Sequence, residues 1–311
     1  MTVVLSAVVY AGGLVFLVGC ALRIRQYSRA PLHLRWELYP VPHEAPERAK
    51  HGGSYFEELD WWKHTRHYNL SGDLRFMIPE MVFLKGLWEF NRKLWSRSFP
   101  FHFGLYLLIG SGGLLGASAL VSIWHPVWTA GGIWFVIHAI YKYAGLAGAS
   151  LAVLGSLGLL IRRLTDDNLT NYTAPADLFN LLFFSTTFSL LLTGYFVNAS
   201  RFPGMLAFTR HLITFRSTPW IPDLLVAGIV LLAILTAYIP YTHMSHFIGK
   251  YFTYHSIRWD DAVNFPGGKI EKRFAEYLTY RPTWSAPHIR ADGTKTWADV
   301  VQENPAKEPH R

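Results

Sequence analysis

Five stretches of this chain are long, apolar and nearly free of charge, and they constrain the fold more than any other feature. Scanning for runs of roughly 18 or more such residues, the length a helix needs to cross a bilayer, finds Val3 to Leu22, Phe99 to Trp124, about Val127 to Ile161, Leu178 to Val197, and Leu224 to about Ile239. The pattern predicts an all-α, integral membrane five-helix bundle. Its spans are expected at residues 1–22, 99–124, 127–161, 175–198 and 223–247, with a loop at 23–98 and a tail at 248–311.

The first run lacks a basic segment before it and an Ala-x-Ala-like cleavage site after it, so it is expected to be a retained helix rather than a signal peptide. Cys20 is the single cysteine of the chain. No disulfide framework, CxxC or CxxCH motif can be built from it, which assigns any iron–sulfur cluster or c-type haem to a partner.

Lys and Arg are distributed unevenly between the loops. Residues 23–98 hold 13 of them, Arg162 and Arg163 add two, and the tail after His246 holds ten, against Arg201, Arg210 and Arg216 on the other side. The positive-inside rule then places the N-terminus outside and the loop, tail and C-terminus in the cytoplasm. The short "IRRL" loop at 161–164 agrees with that assignment. Such a chain is expected in the cell inner (cytoplasmic) membrane as a multi-pass protein.

A net charge of +8 raises nucleic acid as a ligand, but 20 of the 21 acids share the basic segments and no nucleic-acid motif occurs. Topology and the membrane lipid surface account for the excess, so no nucleic-acid partner is expected. Trp95, Trp124, Trp128, Trp134 and Trp220 fall near span ends, as interfacial belts require.

In the first loop, Met81, Leu84, Leu87, Trp88 and Leu94 recur at helical spacing between Lys85, Glu89, Arg92 and Lys93. This predicts an amphipathic helix near 79–96, suited to the bilayer interface or to docking a partner. The tail is rich in aromatics, Pro and Gly without periodicity. It is expected to lie extended against a cytoplasmic subunit, with about the last ten residues disordered.

Of the 14 histidines, His102, His138, His243 and His246 lie within or at the ends of spans. Ionisable groups there are costly and mark functional sites or bundle interiors. His102 begins the second span at the cytoplasmic end, and His246 follows Asp223 by 23 residues, roughly 35 Å of helix rise, which brings it to similar depth. Two imidazoles facing each other from antiparallel helices are what a bis-histidine haem b requires. His243 competes with His246, because the two are three residues apart on one helix. His138 is expected on the order of 25 Å away, near the outer face.

The sequence resembles the NarI-like membrane cytochrome b family, that of the gamma subunit of respiratory nitrate reductase and its DsrM-like relatives in sulfate-reducer complexes. The motifs are "FHFG" opening the second span, "IRRL" after the third, "TAPADL" opening the fourth and "PYTHMSH" closing the fifth. The resemblance implies that His102 and His246 are the axial ligands of haem b, binding its iron, and that His243 contacts a haem propionate. Gly112 and Gly228 stand where two-haem members carry further histidines, which implies one haem, unless His138 recruits His125 or His211 into an unfamiliar site.

The family also binds quinol near the start of helix three, here "WFVIHAIYKYAG". His138 and Lys142, four residues apart on one helical face, are the candidate catalytic groups of a quinone site for menaquinone or ubiquinone, offering a hydrogen-bond donor and a proton carrier. An outer quinone would lie roughly 20 Å or more from the inner iron, which keeps an inner quinone site open as well. The implied function is a membrane cytochrome b subunit of a respiratory complex, carrying electrons between quinone and a cytoplasmic iron–sulfur subunit, with other membrane subunits as further partners. The alternative is a haem-bearing anchor without its own quinone site. Asp177 and Asp223 stand at span ends and no Asp or Glu occurs in the interior of any span, which argues against a proton or cation carrier.

Overall fold

The structure, a computed structural model, describes residues 2–30, 63, 69–170, 172–197, 201–217, 219–255, 266–283 and 290–303. The described residues contain helices and turns and no strand. The helices are α1 (Thr2–Arg29), α2 (Leu70–Phe83), α3 (Lys85–Phe90), α4 (Arg92–Trp124), α5 (Gly132–Thr165), α6 (Asp167–Thr170), α7 (Pro175–Phe196), α8 (Met205–Ile213), α9 (Asp223–Tyr238), α10 (His246–His255), α11 (Lys269–Leu278) and α12 (Trp297–Gln302). Five of them, α1, α4, α5, α7 and α9 with its 3-10 extension to Tyr241, are long and apolar enough to cross a membrane. The described residues are thus all-helical, with five helices that suit a multi-pass membrane protein. It divides into two compact units.

The first unit comprises residues 1–28, 96–160 and 175–251, and holds all five apolar helices. Lipid tails are as apolar as leucine, so helices in a membrane associate through close packing, which small residues permit. Gly104 and Gly148 show this at the crossing of α4 and α5, where a methyl group built on either would meet the other's carbonyl oxygen at 2.6 and 2.8 Å. Two turns along α5 from Gly148, a methyl on Gly155 would lie 2.4 Å from the Phe101 nitrogen. Gly12 and Gly19 let α1 approach Ala233 and Pro240, and Gly194 and Gly228 bring α7 against α9.

Two apolar clusters fill the bundle. Phe101, Ala149, Ala152, Phe184, Phe188 and Leu235 pack at the end that carries His102. Leu5, Phe202, Phe208, Ile221, Leu225 and Ile229 pack at the opposite end.

The ends of the apolar helices depart from the runs of sequence. α1 continues past residue 22 to Arg29, because Arg, Gln and Tyr are compatible with helix once lipid no longer demands apolar side chains. The predicted span 127–161 opens with a 3-10 turn, Pro126–Ala130, and its α-helix runs from Gly132 to Thr165. The predicted span 223–247 is not one helix. Proline lacks the N–H that the ladder needs, and at Pro240 the chain passes through two 3-10 turns, Ile239–Tyr241 and His243–Ser245, before α10 begins at His246. Arg23 Nε donates to the freed Pro240 carbonyl at 2.8 Å.

The second unit comprises residues 29–95, 161–174 and 252–311. The single amphipathic helix expected near 79–96 is divided among α2, α3 and the first turn of α4. Leu84 closes α2 in the left-handed region, with φ 51° and ψ 51°, and Asn91 interrupts the helix again while its side chain accepts the Leu94 N–H at 3.0 Å. Trp95 Nε1 donates to the Phe83 carbonyl at 2.8 Å, and the Trp88 and Trp95 rings meet edge to face at 4.7 Å. These contacts reward a folded-back corner over a straight helix. Elsewhere in the unit Trp297 Nε1 donates to the Tyr172 hydroxyl at 2.7 Å. The last residues expected to be disordered, 304–311, lie outside the described residues, whereas the described part of the tail expected to be extended contains the helices α11 and α12.

Candidate functional site

His102 lies three turns into α4, and His246 is the first residue of α10. The structure brings these two rings together, with centroids 6.2 Å apart and planes inclined by 64°. The break at Pro240, two 3-10 turns with Thr242 extended between them, still leaves His246 beside His102.

Each ring is oriented by its own segment. His102 Nδ1 lies 2.8 Å from the Ser98 carbonyl and 3.2 Å from Ser98 Oγ, and His246 Nδ1 lies 3.3 Å from the His243 carbonyl. A carbonyl oxygen only accepts, so these contacts place the proton on Nδ1 and leave the Nε2 lone pair available. That is the tautomer a metal ligand needs, fixed by a backbone acceptor as metal-bound histidines usually are.

The spacing can be tested against an iron held between them. With about 2.0 to 2.1 Å from metal to each nitrogen and roughly 1.2 Å from nitrogen to ring centre, two opposed imidazoles put their centroids about 6.4 Å apart. The observed 6.2 Å fits. No group of three or more metal-binding side chains occurs among the described residues.

His243 does not point into this pair. Its Nε2 is 3.5 Å from Asp177 Oδ1 at the start of α7, and its side chain is largely exposed. One turn further along α7, Asn180 is 4% exposed with both side-chain amide atoms lacking a protein partner. Burying an amide unpaired costs roughly 1 to 3 kcal/mol, so this end of the bundle has polar valence to offer a bound group. Phe101 stands edge-on to His102 at 5.4 Å, and Phe184 edge-on to Phe101 at 5.0 Å.

His138 and Lys142 lie elsewhere, on the wall of a cavity of about 740 Å³ inside the bundle. The cavity runs between α1, α4, α5, α7, α8 and α9, and its body is apolar: Leu108, Leu115, Leu191, Phe208, Ile229 and Leu232. Ser111 Oγ donates to the Tyr141 carbonyl at 2.7 Å, which sets the register of α4 against α5. His138 is therefore level with about residue 114, roughly 18 Å of helix rise from His102 rather than the 25 Å expected.

His125 stacks on Trp128 with centroids 4.4 Å apart, and neither it nor His211 lines the cavity. Among the described residues no second histidine joins His138. Gly112 faces open space on the cavity wall, while a methyl on Gly228 would sit 2.9 Å from the Leu191 nitrogen.

Several site residues escape a reading of the sequence. Tyr141, three residues after His138, stacks on it with centroids 4.9 Å apart and planes 15° from parallel. Tyr195 and Arg210 line the same cavity. The i, i+3 spacing of His138 and Tyr141 is a usable signal, whereas Arg210 lies in a connecting segment that no motif marks. Asp177 stands within "TAPADL", without a sign that it would face His243.

No protein-family model matches the chain, and no curated protein matches it.

Proposed function

We propose that this protein is a membrane cytochrome b subunit that holds haem b between His102 and His246 and carries electrons between a membrane quinone and a cytoplasmic iron–sulfur partner. The observation that carries the reading is the pairing of the two imidazoles, with centroids 6.2 Å apart, planes inclined by 64° and both Nδ1 atoms beside backbone carbonyls. Haem b, when bound, supplies the one-electron chemistry. His102 and His246 would hold the iron, Ser98 and the His243 carbonyl keep the rings in the ligating tautomer, and Phe101 and Phe184 form an apolar wall beside His102, all of which would bear on the potential. His243, whose Nε2 lies 3.5 Å from Asp177 Oδ1, is the residue assigned to a propionate.

The resemblance of "FHFG" and "PYTHMSH" to NarI-like cytochromes supports the same reading, and the distribution of Lys and Arg supports an outside N-terminus and cytoplasmic C-terminus in the cell inner membrane. The cavity supports a lipid-soluble substrate. Its deep wall reaches Leu108, six residues and about 9 Å of helix rise from His102. A quinone entering it can approach the histidine pair well beyond the level of His138.

A reduced-minus-oxidised optical spectrum of the purified protein tests the proposal. A b-type α band, absent from the His102→Ala, His246→Ala double variant, is the expected result. No such band, or its survival in the double variant, overturns it.

A further inference from the structure

Asn180 lies on the buried face of α7 and is 4% exposed, and neither polar atom of its side-chain amide has a hydrogen-bond partner in the protein. Oxygen and nitrogen are both orphaned, so the orientation chosen for the amide does not alter this. Ser98, Ser156, Ser185 and Ser245, buried at the same end of the bundle, are engaged. Ser98 Oγ lies 3.2 Å from His102 Nδ1, the Ser156 and Ser185 hydroxyls lie 3.2 Å apart, and Ser245 Oγ donates to the Thr242 carbonyl at 2.8 Å. Thr187 Oγ1 also lacks a partner, but it stands seven residues further along α7, past Phe184.

Two contacts fix where Asn180 stands. One turn before it, Asp177 Oδ1 is 3.5 Å from Nε2 of His243, three residues ahead of His246. One turn after it, the Phe184 ring meets that of Phe101, the neighbour of His102, at 5.0 Å. Asn180 is thus bracketed by contacts to the segments that carry both imidazoles, on the side of the ring pair that leads to the exposed His243.

A primary amide offers a donor and an acceptor side by side. A protonated carboxyl is its two-point complement, since the O–H donates to Oδ1 while the C=O accepts from Nδ2. A quinone carbonyl or an ionised carboxylate only accepts, and would leave Oδ1 unpaired. A single oxygen, of a hydroxyl or a water, reaches both atoms only through bent bonds, which weaken steeply. Haem carries two carboxyls on a rim that is otherwise apolar, and a buried apolar setting disfavours the charged form of a carboxyl.

We infer that Asn180 is a second residue that recognises the haem rim: its amide pairs at both atoms with one haem carboxyl in the protonated form, while the other carboxyl falls to the exposed His243. The inference rests on the haem reading above and adds to it a binding residue and the protonation state of the carboxyl it holds.

The test is titration of the full chain, produced without haem and held in detergent, with two iron porphyrins: protohaem, and iron octaethylporphyrin, whose rim bears only ethyl groups. Soret absorbance reads binding. Asn180→Leu, similar in size and without the amide, should weaken protohaem by roughly five- to fiftyfold, the worth of two net hydrogen bonds, and leave iron octaethylporphyrin within about twofold of the parent. Its haem-free melting temperature should equal or exceed that of the parent, because an orphaned buried amide has gone. With protohaem isotopically labelled at its carboxyl carbons, the infrared spectrum of the loaded parent should show an isotope-sensitive C=O band of a protonated carboxyl, lost in Asn180→Leu. Unchanged protohaem binding, equal weakening of both porphyrins, a lower haem-free melting temperature or no protonated-carboxyl band overturns the inference while the haem reading stands. Should only protohaem bind the parent, the infrared band decides. A parent that binds neither porphyrin, or that binds protohaem equally well after His102→Ala, His246→Ala, overturns the haem reading itself.

Discussion

His102 and His246 meet across the bundle with ring centroids 6.2 Å apart, although a proline and two 3-10 turns separate α9 from the helix that carries His246. The meeting is built from two short-range devices, the Ser98 carbonyl on one ring and the His243 carbonyl on the other. His243 itself turns away to Asp177. This arrangement separates the roles of two histidines that sequence spacing alone leaves in competition.

Single substitutions therefore discriminate between them. Under the proposed function, His102→Ala and His246→Ala should each lower bound haem b to less than about a tenth of the parent, since each removes one of the two residues that would hold the iron. His243→Ala should retain the haem, because its side chain faces Asp177 at 3.5 Å. Pyridine haemochrome assay per mole of protein is the measurement. A His243→Ala variant that loses haem while His246→Ala keeps it would reverse the assignment.

The α4–α5 crossing should be sensitive at one glycine and indifferent at another. A methyl on Gly155 would lie 2.4 to 2.6 Å from backbone atoms of Phe101, which cannot rotate away. Gly155→Ala is expected to destabilise the protein by about 1 to 3 kcal/mol, the usual cost of overpacking, and to loosen haem by displacing the residue next to His102. Nothing lies within 4 Å of a methyl on Gly112, so Gly112→Ala should be neutral or more stable by up to about 1 kcal/mol through helix propensity. Thermal unfolding in detergent, followed by circular dichroism, measures both.

The membrane helices are readable because a bilayer imposes a length and a composition at once, and five runs meet both. Their ends are less readable. Past the lipid-facing segment no such demand applies, so α1 reaches Arg29, and Leu84 and Asn91 divide a helix whose apolar spacing is otherwise regular. The histidine pair can be reached from sequence because only rise along the helix is needed, and His102 and His246 share a depth under either geometry. Tyr141, Asn180 and Arg210 cannot. A span that is apolar on all faces, as α9 is, gives no periodicity from which to tell the face that lines a cavity from the face that meets lipid. Gly112 and Gly228 look alike in sequence. Only the packing distinguishes the open position from the one pressed against Leu191.

The turn before α12 should respond to acid. Asp292 accepts hydrogen bonds from the backbone N–H groups of Lys295 and Thr294 and from the Thr294 hydroxyl, which hold its carboxyl down at about 2. Asp299 is lowered for a related reason, accepting from the Thr296 hydroxyl and N–H in a capping box. A carboxylate depressed in the folded state stabilises it above the unfolded value near 4, and that contribution disappears as pH falls through about 2. Hydrogen–deuterium exchange over residues 290–303, corrected for the intrinsic pH dependence, should show protection that is full above about pH 4 and falls toward about pH 2. Asp292→Asn should reproduce the loosened turn at neutral pH, and unchanged protection in that variant would remove the carboxylate from the account.

The two glycines at the positions of further family histidines should resist conversion into a second haem site, for different reasons. Gly112 has room for a side chain, and the imidazole introduced by Gly112→His would project toward the cavity without a facing ligand, because among the described residues His138 on α5 is the one histidine on that wall. Gly228→His meets a harder limit. Even its Cβ would lie 2.9 Å from the Leu191 nitrogen and 3.0 Å from that residue's side chain, so α7 and α9 must separate before an imidazole can enter. The α7–α9 contact also carries Gly194 against Leu225, and a rigid-body shift would open both crossings together. The Gly112→His variant is expected to purify as a monodisperse protein with its haem content unchanged, and any variant containing Gly228→His to show reduced yield and a broadened size-exclusion profile. A monodisperse double variant with twice the parent's haem per chain would show that the α7–α9 crossing yields readily, and that the glycine at 228 is not required by packing.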